Sequence, residues 1–208
     1  MSVVEGGPNP AGIIARVQGI LLKPNEEWDK IAAEPATIQS LFVGYAVVLA
    51  ALPAIAGFLG GFIFVHNIFV GLATALLGYA LGLGAVFALG YIADALAPSF
   101  GAEKNLIQAM KLIIYSWTAT WVAGILSFIP ILGGVIGLVG LGYGFYLLYL
   151  GVPKVMKAPA DKAVTYTVVI IVAGIVLYAC IAGITAAVLG MVAAATIAGA
   201  VAAAAAAT

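Results

Sequence analysis

Charge is the scarcest feature of this 208-residue sequence, in which only 8% of the residues are Asp, Glu, Lys or Arg. A soluble domain usually has about 25% of such residues, because its surface must be solvated by water. Hydrophobic residues make up 65% of the chain, and the mean hydropathy is +1.22. So few charged side chains could not cover the surface of a soluble globule. The composition therefore predicts a polytopic membrane protein with the lipid bilayer as its solvent.

Cysteine, histidine and net charge are also scarce, and each scarcity excludes a class of function. One Cys cannot form an internal disulfide, and one Cys with one His cannot supply the four ligands of a tetrahedral zinc site. Zero net charge gives no electrostatic basis for binding nucleic acid. The sequence motifs of metalloproteases, serine hydrolases and P-loop nucleotide-binding proteins are absent. We predict a non-enzymatic protein without catalytic residues, cofactor, metal or nucleic-acid partner.

Five apolar stretches without charge approach the roughly 20 residues that a helix needs to cross a bilayer. We expect no ionisable residue inside any of them. Short polar or proline-containing turns at residues 66–67 and 129–130 predict two antiparallel helical hairpins. The fold class predicted is an all-α transmembrane bundle with five spans. The stretches cover residues 41–65, 68–93, 112–128, 131–152 and from 163 onward.

The basic residues predict the orientation of these spans. All eight fall before the first span, between the second and third, or between the fourth and fifth. With five spans these segments share one side, which the positive-inside rule makes cytoplasmic. We therefore predict a cytoplasmic N-terminus and a C-terminus outside. The eight acidic residues lie on the same side, so this side lacks the uncompensated basic cluster that grips anionic lipid.

The two ends of the chain differ from the five-span part. We predict a cytoplasmic interfacial segment over residues 1–40, a membrane domain over 41–190 and an Ala-rich extension over 191–208. The extension has three alternatives: a protruding helix, a segment at the interface, or a short sixth span that returns the C-terminus inside. We favour five spans, because alanine is a strong helix former but a weak membrane anchor.

The first forty residues predict two amphipathic helices. Apolar residues line one face of residues 11–22, and Pro24 ends that helix. A second helix is predicted to begin with Asn25 as its cap, and to present Trp28 and Ile31 at headgroup depth. These helices either form an interfacial collar that shapes or senses the membrane, or cover the cytoplasmic ends of the spans.

Three segments share a pattern with a known family of membrane proteins. The first is residues 16–24 with Glu27 and Trp28; the second is residues 94–98 with Lys104, Tyr115 and Ser116; the third is residues 146–151 with Pro153, Lys157, Asp161 and Lys162. Together they resemble the bacterial branch of the Yip family of five-span proteins, whose eukaryotic members are named for interaction with Ypt/Rab GTPases.

This resemblance implies a bacterial inner-membrane protein with its N-terminus in the cytoplasm and its C-terminus outside. It does not transfer the eukaryotic role in vesicle traffic, since bacteria have no Rab cycle. One departure is the run Thr118, Ala119 and Thr120, which stands where members of the branch often have a proline after the Tyr-Ser pair.

The predicted cytoplasmic loops hold the candidate interaction residues. Asp94 ends the second predicted span, where the helix dipole disfavours a carboxylate. It is either the centre of a polar cluster that joins the two loops, or a solvated side chain. We expect Asp94→Lys to destabilise the loops or to invert the local topology. The candidate residues are Asp94, Pro98, Lys111, Pro153, Lys154, Lys157, Asp161 and Lys162.

Glycines four residues apart form the other notable pattern, because small residues at this spacing let helix backbones approach closely. They predict either tight packing inside one bundle or a homo-oligomer through the fourth span. The residues are Gly57, Gly61, Gly78, Gly82, Gly133, Gly137, Gly140 and Gly144.

Two functions remain compatible with the sequence. The first is a membrane-organising or adaptor protein whose cytoplasmic loops bind an unknown membrane or cytoplasmic protein. The second is a channel or facilitator for a small neutral solute. A water-filled cavity lined by Ser116, Thr118, Thr120 and Tyr143 would favour the channel, whereas a dry, glycine-packed interior would favour the adaptor.

Overall fold

The computed structural model describes residues 10–65, 68–129 and 131–206, and these ranges are helical without a strand. Short π-helical segments follow α3 and α4, and 3-10 turns follow α5 and α7. The predicted turn residues His66, Asn67 and Pro130 lie outside the described residues. The helices are α1 (Pro10–Leu22), α2 (Pro24–Ala33), α3 (Ile38–Leu41), α4 (Val47–Gly60), α5 (Ile68–Leu96), α6 (Leu106–Ser116), α7 (Thr118–Ala123), α8 (Leu132–Val155) and α9 (Ala160–Ala206).

Five stretches of these helices are long and apolar enough to cross a membrane, which confirms the predicted all-α, five-span fold. Each exceeds the minimum of roughly 20 residues that a bilayer requires. They are Ile38–Ile63, Gly71–Phe100, Leu106–Phe128, Leu132–Val155 and Ala160–Thr196.

The helices extend beyond the uncharged stretches, which themselves hold no Asp, Glu, Lys or Arg. The second candidate span continues to Phe100 and the third begins at Leu106, so Asp94 and Lys111 lie within helices. Both side chains are buried, with 7% and 3% of their surface exposed. Neighbouring parts of the protein therefore enclose these two residues at the ends of the predicted spans.

The N-terminal helices occur close to the predicted positions, but two details of the prediction are wrong. The N-cap residue of α2 is Lys23 and not Asn25. Pro24 occupies the first turn of the helix, where a backbone N–H would have no partner within the helix, so the N–H that proline lacks is not missed. Trp28 and Ile31 do not face lipid headgroups, since both are fully buried in the core. The Trp28 ring meets Tyr115 edge-on, with ring centroids 6.5 Å apart.

The core lies around α6, which other helices enclose. Residues 109–114 are buried without interruption, a pattern that a lipid-facing helix does not show. Helices α5 and α8 pack against α6, and α3 contacts its remaining side. The third span is therefore the central helix of the half of the bundle that carries the charged residues.

Helix α9 narrows the alternatives for the C-terminal extension. It is a single helix of 47 residues, about 70 Å long at 1.5 Å per residue. The described chain does not turn back before Ala206, so it contains no returning sixth span up to that residue. The protruding helix and the segment at the interface stay as the two predictions for the extension.

Three glycines of α8 pack against the third span. A Cβ at Gly140 would lie 2.4 Å from the Ala123 Cβ and 2.9 Å from the Ala119 carbonyl oxygen. A Cβ at Gly133 would lie 2.4 Å from the Leu126 carbonyl oxygen, and one at Gly144 would lie 3.1 Å from that of Ser116. At these positions glycine serves close packing inside one bundle.

The other predicted glycines divide into two groups. A Cβ at Gly61 would lie 3.0 Å from the Cα of Gly71, so this residue also packs inside the chain. Among the described residues, no neighbouring heavy atom lies within 4 Å of a Cβ built at Gly57, Gly78, Gly82 or Gly137. These four glycines therefore do not serve close packing inside the described chain, and the homo-oligomer stays a prediction.

Candidate functional site

The charged side chains of the described residues all lie at one end of the bundle. This end consists of α1, α2, the loops 97–105 and 156–159 with the helix ends that flank them, and residues 160–162 at the start of α9. We call it the charged face. It contains every residue of the predicted interaction cluster, and its geometry shows how these residues are used.

Arg16 joins the two N-terminal helices. Its guanidinium donates to the buried carboxylate of Glu27 and to the carboxylate of Glu34, and it lies 5.6 Å from the centre of the Tyr115 ring. Lys30 donates a second hydrogen bond to Glu27, at 2.9 Å. Two cations around one buried carboxylate compensate its loss of water.

The pKa of Arg16 follows from these contacts. Burial lowers it, but the hydrogen bond to Glu34 and the nearby Tyr115, Glu34 and Glu27 raise it by more, so the net pKa lies above its usual value. A group whose pKa is raised by folding stabilises the folded state below its unfolded pKa, and loses this effect only as pH rises through the folded value. Arg16 therefore stays charged throughout the physiological range.

Replacing Arg16 with Lys is expected to lower the free energy of unfolding by about 1–2 kcal/mol, because an ammonium group lacks the planar fork that reaches two carboxylates. Thermal unfolding in detergent measures the change. Lys23→Ala is the matched control, since the Lys23 amine lies 3.9 Å from Glu26 and both side chains are largely exposed. Equal stability of the two variants would refute the role given to Arg16.

Lys111 holds the C-terminus of α2. Its Nζ donates to the carbonyl oxygens of Ile31, at 2.8 Å, and of Glu34. Gln108, one turn earlier on α6, donates from Nε2 to the carbonyl of Ala32, at 3.1 Å. The last carbonyls of a helix have no partner within it and carry its negative dipole end, so a buried ammonium group is well matched to them.

Side chains of α8 hold the junction between α1 and α2. Lys154 Nζ donates to the carbonyl of Asn25 at 2.7 Å and to Asp29 Oδ2 at 2.8 Å. The Tyr143 hydroxyl donates to the carbonyl of Leu21, at 2.7 Å. Side chains of two span helices thus hold α1 and α2 against the bundle. This geometry favours the interpretation in which these helices cover the ends of the spans.

The loops 97–105 and 156–159 contact each other directly. The Glu103 N–H donates to the Met156 carbonyl at 2.9 Å, and Lys157 Nζ pairs with the Glu103 carboxylate at 3.0 Å. Gly101 has a φ of 69°, and a Cβ there would lie 3.3 Å from Pro159 Cγ. The two loops therefore form one surface, as the candidate cluster requires.

Asp94 is not the centre of that surface, which corrects the prediction. It forms no ion pair in the described part of the chain, and its buried Oδ1 has no hydrogen-bond partner there. Lys111 binds α2, Lys154 pairs with Asp29 and Lys157 pairs with Glu103. Asp94 is not a fully solvated side chain either, because only 7% of its surface is exposed.

The remaining members of the cluster lie on its outside. Pro98 accepts a hydrogen bond at its carbonyl from the Gly101 N–H, at 3.2 Å, while its ring side is exposed. Pro153 lies inside α8 near its end and is also exposed. Asp161 and Lys162 are exposed in the first turn of α9, without an ion pair in the described residues.

Replacing Asp94 with Asn is expected to leave stability unchanged or to raise it by up to about 2 kcal/mol, because it removes a buried charge without a cation partner. Asp94→Lys puts a longer charged side chain into the same space and is expected to destabilise the protein. Thermal unfolding of both variants in the same detergent measures the difference. A loss of stability in Asp94→Asn as large as that in Asp94→Lys would show that the carboxylate has a partner.

The hydroxyl groups proposed to line a channel are already engaged or enclosed. Thr118 Oγ1 lies 2.8 Å from the Tyr45 hydroxyl, Thr120 Oγ1 lies 3.5 Å from the Gly140 carbonyl, and Tyr143 binds Leu21. Ser116 is fully buried. Thr118, Thr120 and Tyr143 thus make contacts between helices, while the buried Ser116 hydroxyl has no hydrogen-bond partner among the described residues. The predicted hydroxyl-lined cavity is not the arrangement observed.

Several residues of the charged face were outside the predicted cluster: Arg16, Glu27, Glu34, Gln108 and Tyr143. One signal for them exists in the sequence, since Arg16 is the single charge within the otherwise apolar α1. The partners of Arg16 depend on how α1 and α2 fold back on each other, which the spacing of residues along the chain does not specify. No group of three or more His, Cys, Asp or Glu in the described ranges is arranged to hold a metal ion.

Comparison with known proteins agrees with the fold. The family described as Yip1 domain matches residues 19–181. The inner membrane protein YohC of Escherichia coli strain K12 is 27% identical over 166 residues, which cover 74% of this chain and 85% of that protein. The protein of the same name from Escherichia coli O6:H1 strain CFT073 matches to the same extent. No solved structure matches the chain.

Proposed function

The chain belongs to the Yip1 domain family and is a multi-pass inner-membrane protein, and from this premise we propose that it acts as a membrane-organising or adaptor protein through its charged face. In this proposal the charged face lies in the cytoplasm, the N-terminus is inside and the C-terminus is outside. The protein binds a membrane or cytoplasmic protein there and catalyses no reaction.

The observation that carries the proposal is the fixation of α1 and α2 by side chains of the span helices. Lys111, Tyr143 and Lys154 each reach from a span to a backbone carbonyl in or next to these two helices. A surface held in one conformation loses little conformational entropy when a partner binds, so more of the contact energy remains as affinity. Such a rigid surface suits recognition of a protein.

Exposed polar groups on this surface supply the candidate contacts. Lys104, Asp161 and Lys162 are exposed and take part in none of the ion pairs of the described residues. Pro98, in the loop 97–105, and Pro153, near the end of α8, are exposed as well. Charges at the edge of an interface mainly set orientation and the rate of association. The partner that fits is therefore a protein with complementary charge near the membrane surface.

Site-specific photocrosslinking in living cells tests the proposal. A photoreactive amino acid at position 104 or 162 is expected to give a covalent adduct with another protein, and Lys162→Glu is expected to weaken the adduct formed from position 104. Leu138 is the matched control position, because it is 70% exposed on the apolar surface of α8. Adducts with a second copy of the chain alone, or no adducts beyond those from position 138, would contradict the adaptor function.

A further inference from the structure

Two cavities lie beside α5, inside the membrane-spanning part of the described chain. The larger, of about 480 Å³, lies between α5 and α9 and is lined by Gly82, Leu89, Gly174 and Leu177 among others. The smaller, of about 300 Å³, lies between α5 and α4. Gly78, Gly82 and Trp117 line both, so the two spaces meet around the glycines of α5.

The glycines account for this space. In the described part of the chain, no neighbouring heavy atom lies within 4 Å of a Cβ built at Gly78 or Gly82, so these glycines face open space. The walls carry no charged residue, and apart from the side chains of Thr74, Tyr79, Trp117, Trp121, Tyr178 and Thr185 they are apolar. A cavity lined mainly by apolar groups is suited to bind an apolar molecule.

The position of the larger cavity indicates which apolar molecule is available. From Gly78 to Leu89 its wall follows α5 for about 16 Å, close to half of a hydrocarbon core of about 30 Å. Both walls belong to candidate spans. Tyr178 at its border is 73% exposed, so the cavity opens sideways towards the bilayer.

We propose that the cavity between α5 and α9 binds one acyl chain of a membrane phospholipid. The chain enters sideways from the bilayer and lies along the glycines of α5, with Trp117 at the inner end of the site. The volume lies in the range of about 300–1,000 Å³ typical of small-molecule sites. The site is separate from the charged face and makes this family member a lipid-binding protein, independently of any protein partner.

Photocrosslinking with a labelled phospholipid tests this site. The full chain is placed in nanodiscs of phosphatidylethanolamine and phosphatidylglycerol that contain a phospholipid with a diazirine on its acyl chain. Mass spectrometry of peptides then locates the adducts. We expect adducts on residues 78–89 and 174–189 to exceed those on the exposed α8 residues Leu138 and Val139.

Filling the cavity separates specific binding from general lipid contact. Gly82→Leu is expected to reduce these adducts about tenfold, the loss that corresponds to displacing about two buried methylene groups. Gly142→Leu is the matched control, since Gly142 is exposed on α8 and no atom lies within 4 Å of its Cβ position. Ala182→Phe fills the same cavity from α9 and replaces Gly82→Leu if that variant does not fold. Adducts no denser than those on α8, or adducts undiminished in a folded cavity-filling variant, would overturn the proposal.

Discussion

Replacing Lys111 with Met is expected to lower the free energy of unfolding by about 3 kcal/mol. Hydrogen bonds from a charged donor contribute about 1.5–3 kcal/mol, and loss of the donor leaves buried acceptors without a partner. The two acceptors are the carbonyl oxygens of Ile31 and Glu34, at the end of α2. Methionine keeps the length of the apolar stem, so the change isolates the ammonium group. Thermal unfolding of the detergent-solubilised protein measures it.

The same variant also changes local order. Hydrogen exchange of residues 24–34 is expected to become faster in Lys111→Met, since α2 loses the group that holds its C-terminus. Lys162→Met is the control, because Lys162 is exposed and forms no ion pair in the described residues. If Lys111→Met were as stable as this control, with unchanged exchange in α2, the capping of α2 by Lys111 would be refuted.

Replacing Gly140 with Val is expected to be strongly destabilising, with a loss of at least about 3 kcal/mol or of the folded protein altogether. A Cβ there already falls 2.9 Å from the Ala119 carbonyl oxygen, and backbone atoms cannot turn away as side chains can. Forcing extra volume into a close-packed contact therefore separates the third and fourth spans. The yield of monodisperse protein and its thermal unfolding measure the effect.

Gly137→Val provides the matched control for that variant. Gly137 lies on the same helix and in the same predicted pattern, but no heavy atom lies within 4 Å of its Cβ position. We expect its stability to change by less than about 1 kcal/mol, since a valine here meets open space. Equal damage from both substitutions would mean that α8 packs against something other than the third span, such as a second copy of the chain.

The glycines also show how far the sequence alone could predict this fold. Their spacing identifies helices that are able to approach closely, and Gly133, Gly140 and Gly144 do so. The same spacing at Gly78 and Gly82 borders a cavity instead. Spacing along one helix reports the shape of that helix, whereas close contact also depends on which neighbour faces it.

The candidate site shows a similar division. The uncharged stretches were sufficient to predict five spans, because crossing a bilayer imposes a minimum length on each helix. The prediction that Asp94 lies among the lysines rested on their position on the same side of the membrane. Residues on one side of a membrane need not be in contact with each other. Lys111 turns to α2, so it satisfies backbone carbonyls and leaves the carboxylate of Asp94 buried alone.

We propose that the described charged residues form one face on the cytoplasmic side, with the end of α9 on the other side. Cysteine accessibility tests it most directly, in a Cys180→Ser background with single cysteines at Lys104, Lys162 or Ala202. A membrane-impermeant maleimide is expected to label position 202 in intact cells, and to label positions 104 and 162 only after the inner membrane is opened. Labelling of position 104 or 162 in intact cells, or of position 202 only after opening, would contradict the account.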